Sequence, residues 1–179
     1  MQALLRDAIG LVRLRVEPLA HYRYPVWQPL AWLALLSTAA ALGAHDFDAP
    51  LLAKVAFFVT LDLLSTIVST LWLMGWLRLL DRKPLESSLF PLVVLAATPQ
   101  LLQPLAALLD GDAELIATVV LTLYGLVVLV RAVAVATAHR TGQIVAGLLA
   151  YLPLALLQYG LAVQMATIFG WIPAEAAAT

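Results

Sequence analysis

The stretch VAFFVTLDLLSTIVSTLWLMGW, residues 55–76, decides the fold. Its 22 residues hold one charged group, Asp62. At 1.5 Å rise per residue an apolar run of this length covers the roughly 30 Å of a bilayer's hydrocarbon, so it reads as a membrane helix. A charge at the centre of such a helix costs about 2.5–3.5 kcal/mol on insertion scales, which makes Asp62 a residue needing a reason. Ser65, Thr66, Ser69 and Thr70 follow at helical spacing and share a face with it. That face is expected to point into a bundle, where hydroxyls bond across helices. Two readings stand for this polar face. It is a proton or cation site lined by hydroxyls, or a structural network that fastens the helix to a neighbour. Arg131 is the candidate partner of Asp62, at a depth that differs by roughly 9 Å. Snorkelling of Arg131 to headgroups is the competing reading, as it is for Lys54.

The rest of the chain agrees with a membrane setting. Of 179 residues, 63% are apolar and 12% charged, against 45–50% apolar in soluble domains. Mean hydropathy is +0.96. A net charge of −1 and the lack of a basic tract exclude a nucleic-acid partner of the usual kind. With no cysteine, disulfides, thiolate catalysis and zinc–thiolate sites are excluded. Arg6, Asp7, Arg13, Arg15 and Glu17 interrupt the first stretch, so a cleavable signal peptide is not expected there. No lipidation signal is read either.

Five segments are long enough to cross: 26–43, 51–80, 89–109, 114–136 and 143–172. Short connectors make consecutive helices antiparallel neighbours. The expected fold is all-α, a polytopic membrane bundle of five transmembrane helices with an N-terminal amphipathic interfacial helix. Residues 1–24 form a cytoplasmic amphipathic segment, 25–173 the five-helix domain and 174–179 a short external tail. Leu4, Leu5, Ala8, Leu11, Val12 and Val16 recur at helical spacing in the first segment. Arg6, Arg13 and Arg15 lie mostly off that stripe and favour anionic lipid. Nine of the ten Lys and Arg residues fall on one side of these spans, and Lys54 alone on the other. That bias puts the N-terminus in the cytoplasm and the C-terminus in the periplasm of a bacterial inner membrane. Trp27, Trp32, Trp72, Trp76, Tyr151 and Trp171 serve as aromatic anchors, and Pro153 as a kink in the last span.

In ATPQLLQPLAALL, Pro99 and Pro104 remove two backbone donors and should kink or break the third helix. Gln100 and Gln103 are the candidates to partner the freed carbonyls. A packing kink and a broken-helix substrate site both fit. His45, Asp46 and Asp48 in HDFD offer possible metal ligands without a second cluster, and His21 and His139 lie at no haem or zinc spacing. No metal and no cofactor is expected. Tyr151, Ala155, Gln158 and Ala162 read as a helix–helix seam, and Gly75, Gly125, Gly147 and Gly160 as points of close approach. No nucleophile elbow, phosphate loop or dinucleotide fingerprint is present, so no enzyme is expected.

Two stretches carry a resemblance. WLMGWLRLLDRKPLESSLFPLVVLAATPQLL, residues 72–102, and TLYGLVVLVRAVAVATAHRTGQIVAGLLAYL, residues 122–152, resemble bacterial members of the Yip family, the Ypt/Rab-interacting membrane proteins. The first is similar to that family's second helix, basic loop and third helix with its Thr-Pro, the second to its fourth helix and the turn into the fifth. The resemblance implies a five-helix bundle with an interaction role and no catalytic residues to transfer. The N-terminal region is shorter than in eukaryotic members. The expected function is a non-enzymatic accessory or scaffold subunit that associates with membrane proteins of a larger complex, with phospholipids, or with copies of itself. The alternative is a small transporter or proton- or ion-conducting subunit using Asp62.

Overall fold

The computed structural model describes residues 1–44, 47–81 and 87–172. His45, Asp46, Arg82, Lys83 and the expected tail 174–179 lie outside the described residues. Among the described residues the chain is all-helical, without a strand. In order come α1 (Gln2–Val12), a 3-10 turn (Leu19–Tyr22), α2 (Trp27–Gly43), α3 (Leu51–Asp81) and α4 (Phe90–Ala96). A 3-10 segment (Thr98–Leu102), α5 (Gln103–Ala106), α6 (Asp112–Ala136) and α7 (Thr141–Ile168) complete it.

Helix ends follow local chemistry. Gly111 turns into α6 with a φ of +56°, and Asp112 and Glu114 occupy the first turn, where a helix favours negative charge. At the start of α7 the Gln143 side chain accepts the Arg140 N–H at 3.0 Å, satisfying a donor the helix leaves open. Lys54 donates to the Ala44 carbonyl just past the end of α2 at 2.7 Å, rather than reaching outward.

Three helices are long and apolar enough to cross a membrane: α3, α6 and α7. The remaining two expected spans are shorter. α2 has 17 residues, or about 26 Å at the α-helical rise. The segment expected as one helix over 89–109 breaks at Thr98, one residue before Pro99. Proline there removes the donor for the Leu95 carbonyl. The Thr98 hydroxyl replaces it at 2.6 Å and in turn accepts the Trp32 indole N–H at 3.2 Å. The Gln100 carbonyl is taken by the backbone N–H of Gln103. The partners expected from the Gln100 and Gln103 side chains are thus supplied by a threonine and the backbone.

The core sits at one end. Leu92–Ala96 of α4 are buried, and α1, α2, α3 and α6 all pack around them. Leu73 and Leu77 of α3, Val128, Val130 and Ala132–Ala134 of α6 and Ile144 of α7 join the same cluster. Away from that end burial nearly ceases. No described residue of α3 before Thr70, and none of α6 before Val128, is buried.

α1 belongs to this core. Leu4, Ala8 and Leu11 are fully buried against α4, the 3-10 segment and α6, while Leu5 and Ile9 are 47% and 44% exposed. The expected stripe is therefore narrower than its six residues and faces the bundle. Two clasps hold α1. Asp7 accepts the Tyr24 hydroxyl and lies 3.1 Å from His21 Nε2. Burial, then the Asp7 carboxylate, pushes the Tyr24 phenol above its usual range, so it stays a donor. On the other side the Tyr124 hydroxyl donates to the Val12 carbonyl, and Arg131 Nε donates to the Leu14 carbonyl at 3.4 Å. Leu14 presents that carbonyl from a left-handed φ of 58°, uncommon for a bulky side chain.

The α3–α7 seam is tight. Trp72 and Trp76 donate their indole N–H groups to the Gly147 and Gln143 carbonyls, each at 2.9 Å. These two tryptophans, expected as anchors at a membrane surface, join α3 to α7. A Cβ on Gly147 would lie 2.6 Å from the Trp76 ring, whereas Gly75, Gly125 and Gly160 have open space. Of the four glycines expected at close contacts, Gly147 alone is at one. Gly147→Ala should lower stability by about 1–3 kcal/mol, the usual cost of overpacking. Gly75→Ala should not. Denaturation in mixed micelles checks both, and an unaffected Gly147→Ala protein would contradict the seam.

Candidate functional site: a polar cavity between α3 and α6

α3 and α6 each pack on α7 and α4 but scarcely on one another. An open cavity of about 320 Å³ lies between them. The fold explains the gap. α4 packs on α3 as well as on α2 and α6; beyond Pro99 the segment keeps α2 and α6 and leaves α3. Asp62, Ser65 and Thr66 of α3 enter the cavity from one side, Gln100 from the broken segment, and Thr122 and Gly125 from α6. Leu33, Leu36, Leu126 and Leu129 supply much of the apolar wall.

Asp62 is half-buried and faces the Ser37 hydroxyl of α2, its side-chain hydrogen-bond partner. Ser37 is fully buried and donates its own proton to the Leu33 carbonyl at 2.9 Å. Ser65 leads away from the cavity to the Tyr151 hydroxyl, which donates to Gln158 Oε1 on the same helix. Of the expected α7 stripe of Tyr151, Ala155, Gln158 and Ala162, Tyr151 meets α3, its ring 6.1 Å from that of Trp72.

The sequence-expected residues divide clearly. Asp62, Ser65, Thr66 and Gln100 come together. Ser69 turns its hydroxyl back to the Thr66 carbonyl at 3.1 Å. Arg131 does not line the cavity; it holds the end of α1, and its helix faces the α1 carbonyls at that level. Pro99, Gln103 and Pro104 shape the break without lining the cavity. Pro104 instead lies against α2, its Cα 3.4 Å from where a Gly43 Cβ would be. Ser37 and Thr122 were not expected. Thr122 sits in an apolar run and bonds its own helix at Thr118, so only helix packing reveals its place. Arg6, Arg13 and Arg15 line a different hollow of about 490 Å³ on the outer side of α1, together with Leu5 and Ile9.

At the opposite end from the core, Phe47 packs on Phe57, Phe58 and Trp171, and the Asp48 N–H donates to the Trp171 carbonyl at 2.8 Å. Trp171 thus pins the α2–α3 connector. Among the described residues no group of three His, Cys, Asp or Glu side chains converges on a metal position.

Fold and site together define an all-helical protein whose three longest helices are suited to crossing a membrane, with a polar cavity between two of them. Compared with known proteins, the chain matches no family model, no curated protein and no solved structure.

Thr70, one turn beyond Thr66, is buried with its Oγ1 unpaired. Thr70→Val should raise stability by about 1 kcal/mol, because a buried hydroxyl without a partner carries its desolvation cost uncompensated. Micelle denaturation measures it. A loss of similar size would show that the hydroxyl has a partner.

Proposed function

We propose that this protein is a non-enzymatic accessory or scaffold subunit of the bacterial inner membrane. In this reading it spans the bilayer five times, with its basic end and N-terminus in the cytoplasm. It associates with other membrane proteins or with lipid. One observation carries the reading: the chain packs itself at one end and leaves the rest of its long helices uncovered. Leu64, Ile67 and Leu71 of α3, with Leu115–Val127 of α6, present an apolar surface well beyond what a soluble monomer exposes. Lipid or neighbouring helices must cover it. The polar slot between α3 and α6 favours a neighbour, since hydroxyls on a helix flank bond across to partner helices.

A lipid contact has its own support. Arg6, Arg13 and Arg15 ring the hollow outside α1, beside the exposed Leu5 and Ile9. Cationic groups next to apolar ones suit a phospholipid phosphate above its acyl chain. The resemblance to bacterial Yip proteins points to the same interaction role. Two of the spans, α2 and the broken segment Phe90–Ala106, are shorter than the hydrocarbon layer, which local thinning of the bilayer accommodates. The second reading, a small transporter or ion-conducting subunit, is favoured by Asp62 and its open cavity.

Gentle extraction with cross-linking and mass spectrometry tests the accessory reading. Defined membrane proteins, or a second copy, should be found cross-linked through α3 or α6. Replacing Arg6, Arg13 and Arg15 together with Gln should weaken binding to anionic vesicles. A protein that migrates alone, with vesicle binding indifferent to these arginines, contradicts the proposal.

A further inference from the structure

Asp62 forms no ion pair among the described residues. The two cations that the sequence places nearest are committed elsewhere: Arg131 to the Leu14 carbonyl and Lys54 to the Ala44 carbonyl. An ionised carboxyl group in apolar surroundings needs a counter-charge, and the described residues offer none at the cavity.

The other polar groups at the cavity are neutral and carry oxygens: the Ser65, Thr66 and Thr122 hydroxyls and the Gln100 amide. A hydroxyl has one proton to donate and two lone pairs to accept with. Thr122 gives its proton to the Thr118 carbonyl at 2.8 Å, so its oxygen offers lone pairs. One carboxylate among neutral oxygens suits a positive guest and disfavours an anion. One carboxylate balances one charge. A divalent ion would keep an uncompensated charge in a low-dielectric site, at a cost of several kcal/mol. The volume of about 320 Å³ exceeds that of a bare ion. At about 30 Å³ per water it holds an ion with part of its hydration shell, or a small alkylammonium with its carbons on the leucine wall.

We infer that the cavity between α3 and α6 binds a monovalent cation, with Asp62 as the counter-charge and Ser65, Thr66, Thr122 and Gln100 as neutral oxygen partners. The site stands beyond the accessory reading. It shares Asp62 with the transport reading, but it needs no passage across the membrane.

The test is equilibrium binding to the whole protein in nanodiscs, with radiolabelled sodium and radiolabelled methylammonium as separate probes. At least one probe should bind saturably. Competition between the two distinguishes an inorganic ion from an ammonium as the preferred guest. Asp62→Asn, which keeps the shape and removes the charge, should weaken binding about tenfold or more, roughly 1.4 kcal/mol. Gly125→Leu should do the same by filling the cavity; Gly125 has open space beside it, so the larger side chain fits without displacing a neighbour. That variant carries the test if Asp62→Asn fails to assemble. A wild-type protein that binds neither probe, or binding that survives both substitutions, overturns the inference. Probe uptake into proteoliposomes separates the two claims. Saturable binding without uptake keeps the site and removes the transport reading.

Discussion

Pro99 cannot donate a backbone hydrogen bond, and much of this molecule follows from that. The apolar segment beginning at Phe90 stays α-helical only to Ala96, and those seven residues are the post around which the core is built. Beyond the break the chain stays on α2 and α6 and leaves α3. The core ends at about this level, and the cavity opens beside it, with Gln100 from the first turn past the proline on its wall. One missing donor thus sets both where packing stops and where polar groups are accessible.

Hydrogen bonds placed in apolar surroundings do the joining. Thr98 answers the carbonyl that Pro99 frees and links it to Trp32. Trp72 and Trp76 bond carbonyls of α7 across a glycine that leaves room for the indole. Such bonds across membrane helices contribute about 0.6 kcal/mol each on average, modest individually but directional. They fix which faces meet where apolar contact alone is indifferent. By contrast, Thr38, Thr60 and Thr122 return their protons to carbonyls of their own helices.

Periodicity and composition showed the helices well because both are properties of one segment. The expected spans 51–80, 114–136 and 143–172 correspond to Leu51–Asp81, Asp112–Ala136 and Thr141–Ile168. The two prolines located the break. A face such as Asp62, Ser65 and Thr66 is likewise legible within one helix. Which helix stands opposite is not, because that depends on packing between segments. So the places of Ser37 and Thr122, the Arg131 bond to the Leu14 carbonyl and the burial of the α1 stripe against α4 all come from packing and are not written in any one segment. Trp72 and Trp76 looked like surface anchors for the same reason: their partners are backbone carbonyls, which no side-chain pattern reveals.

The account stands on the claim that α3 is packed within the chain at its core end and uncovered before it. The natural chain has no cysteine, so single cysteines carry spin labels cleanly. Oxygen accessibility of labels at Leu64 and Ile67, set against labels at Leu73 and Leu77, in dilute bilayers, tests it most directly. High accessibility at the first two and low at the last two is the expected result. Equally low values at all four would show that the chain covers its own helix throughout, and would contradict a core that ends near Pro99.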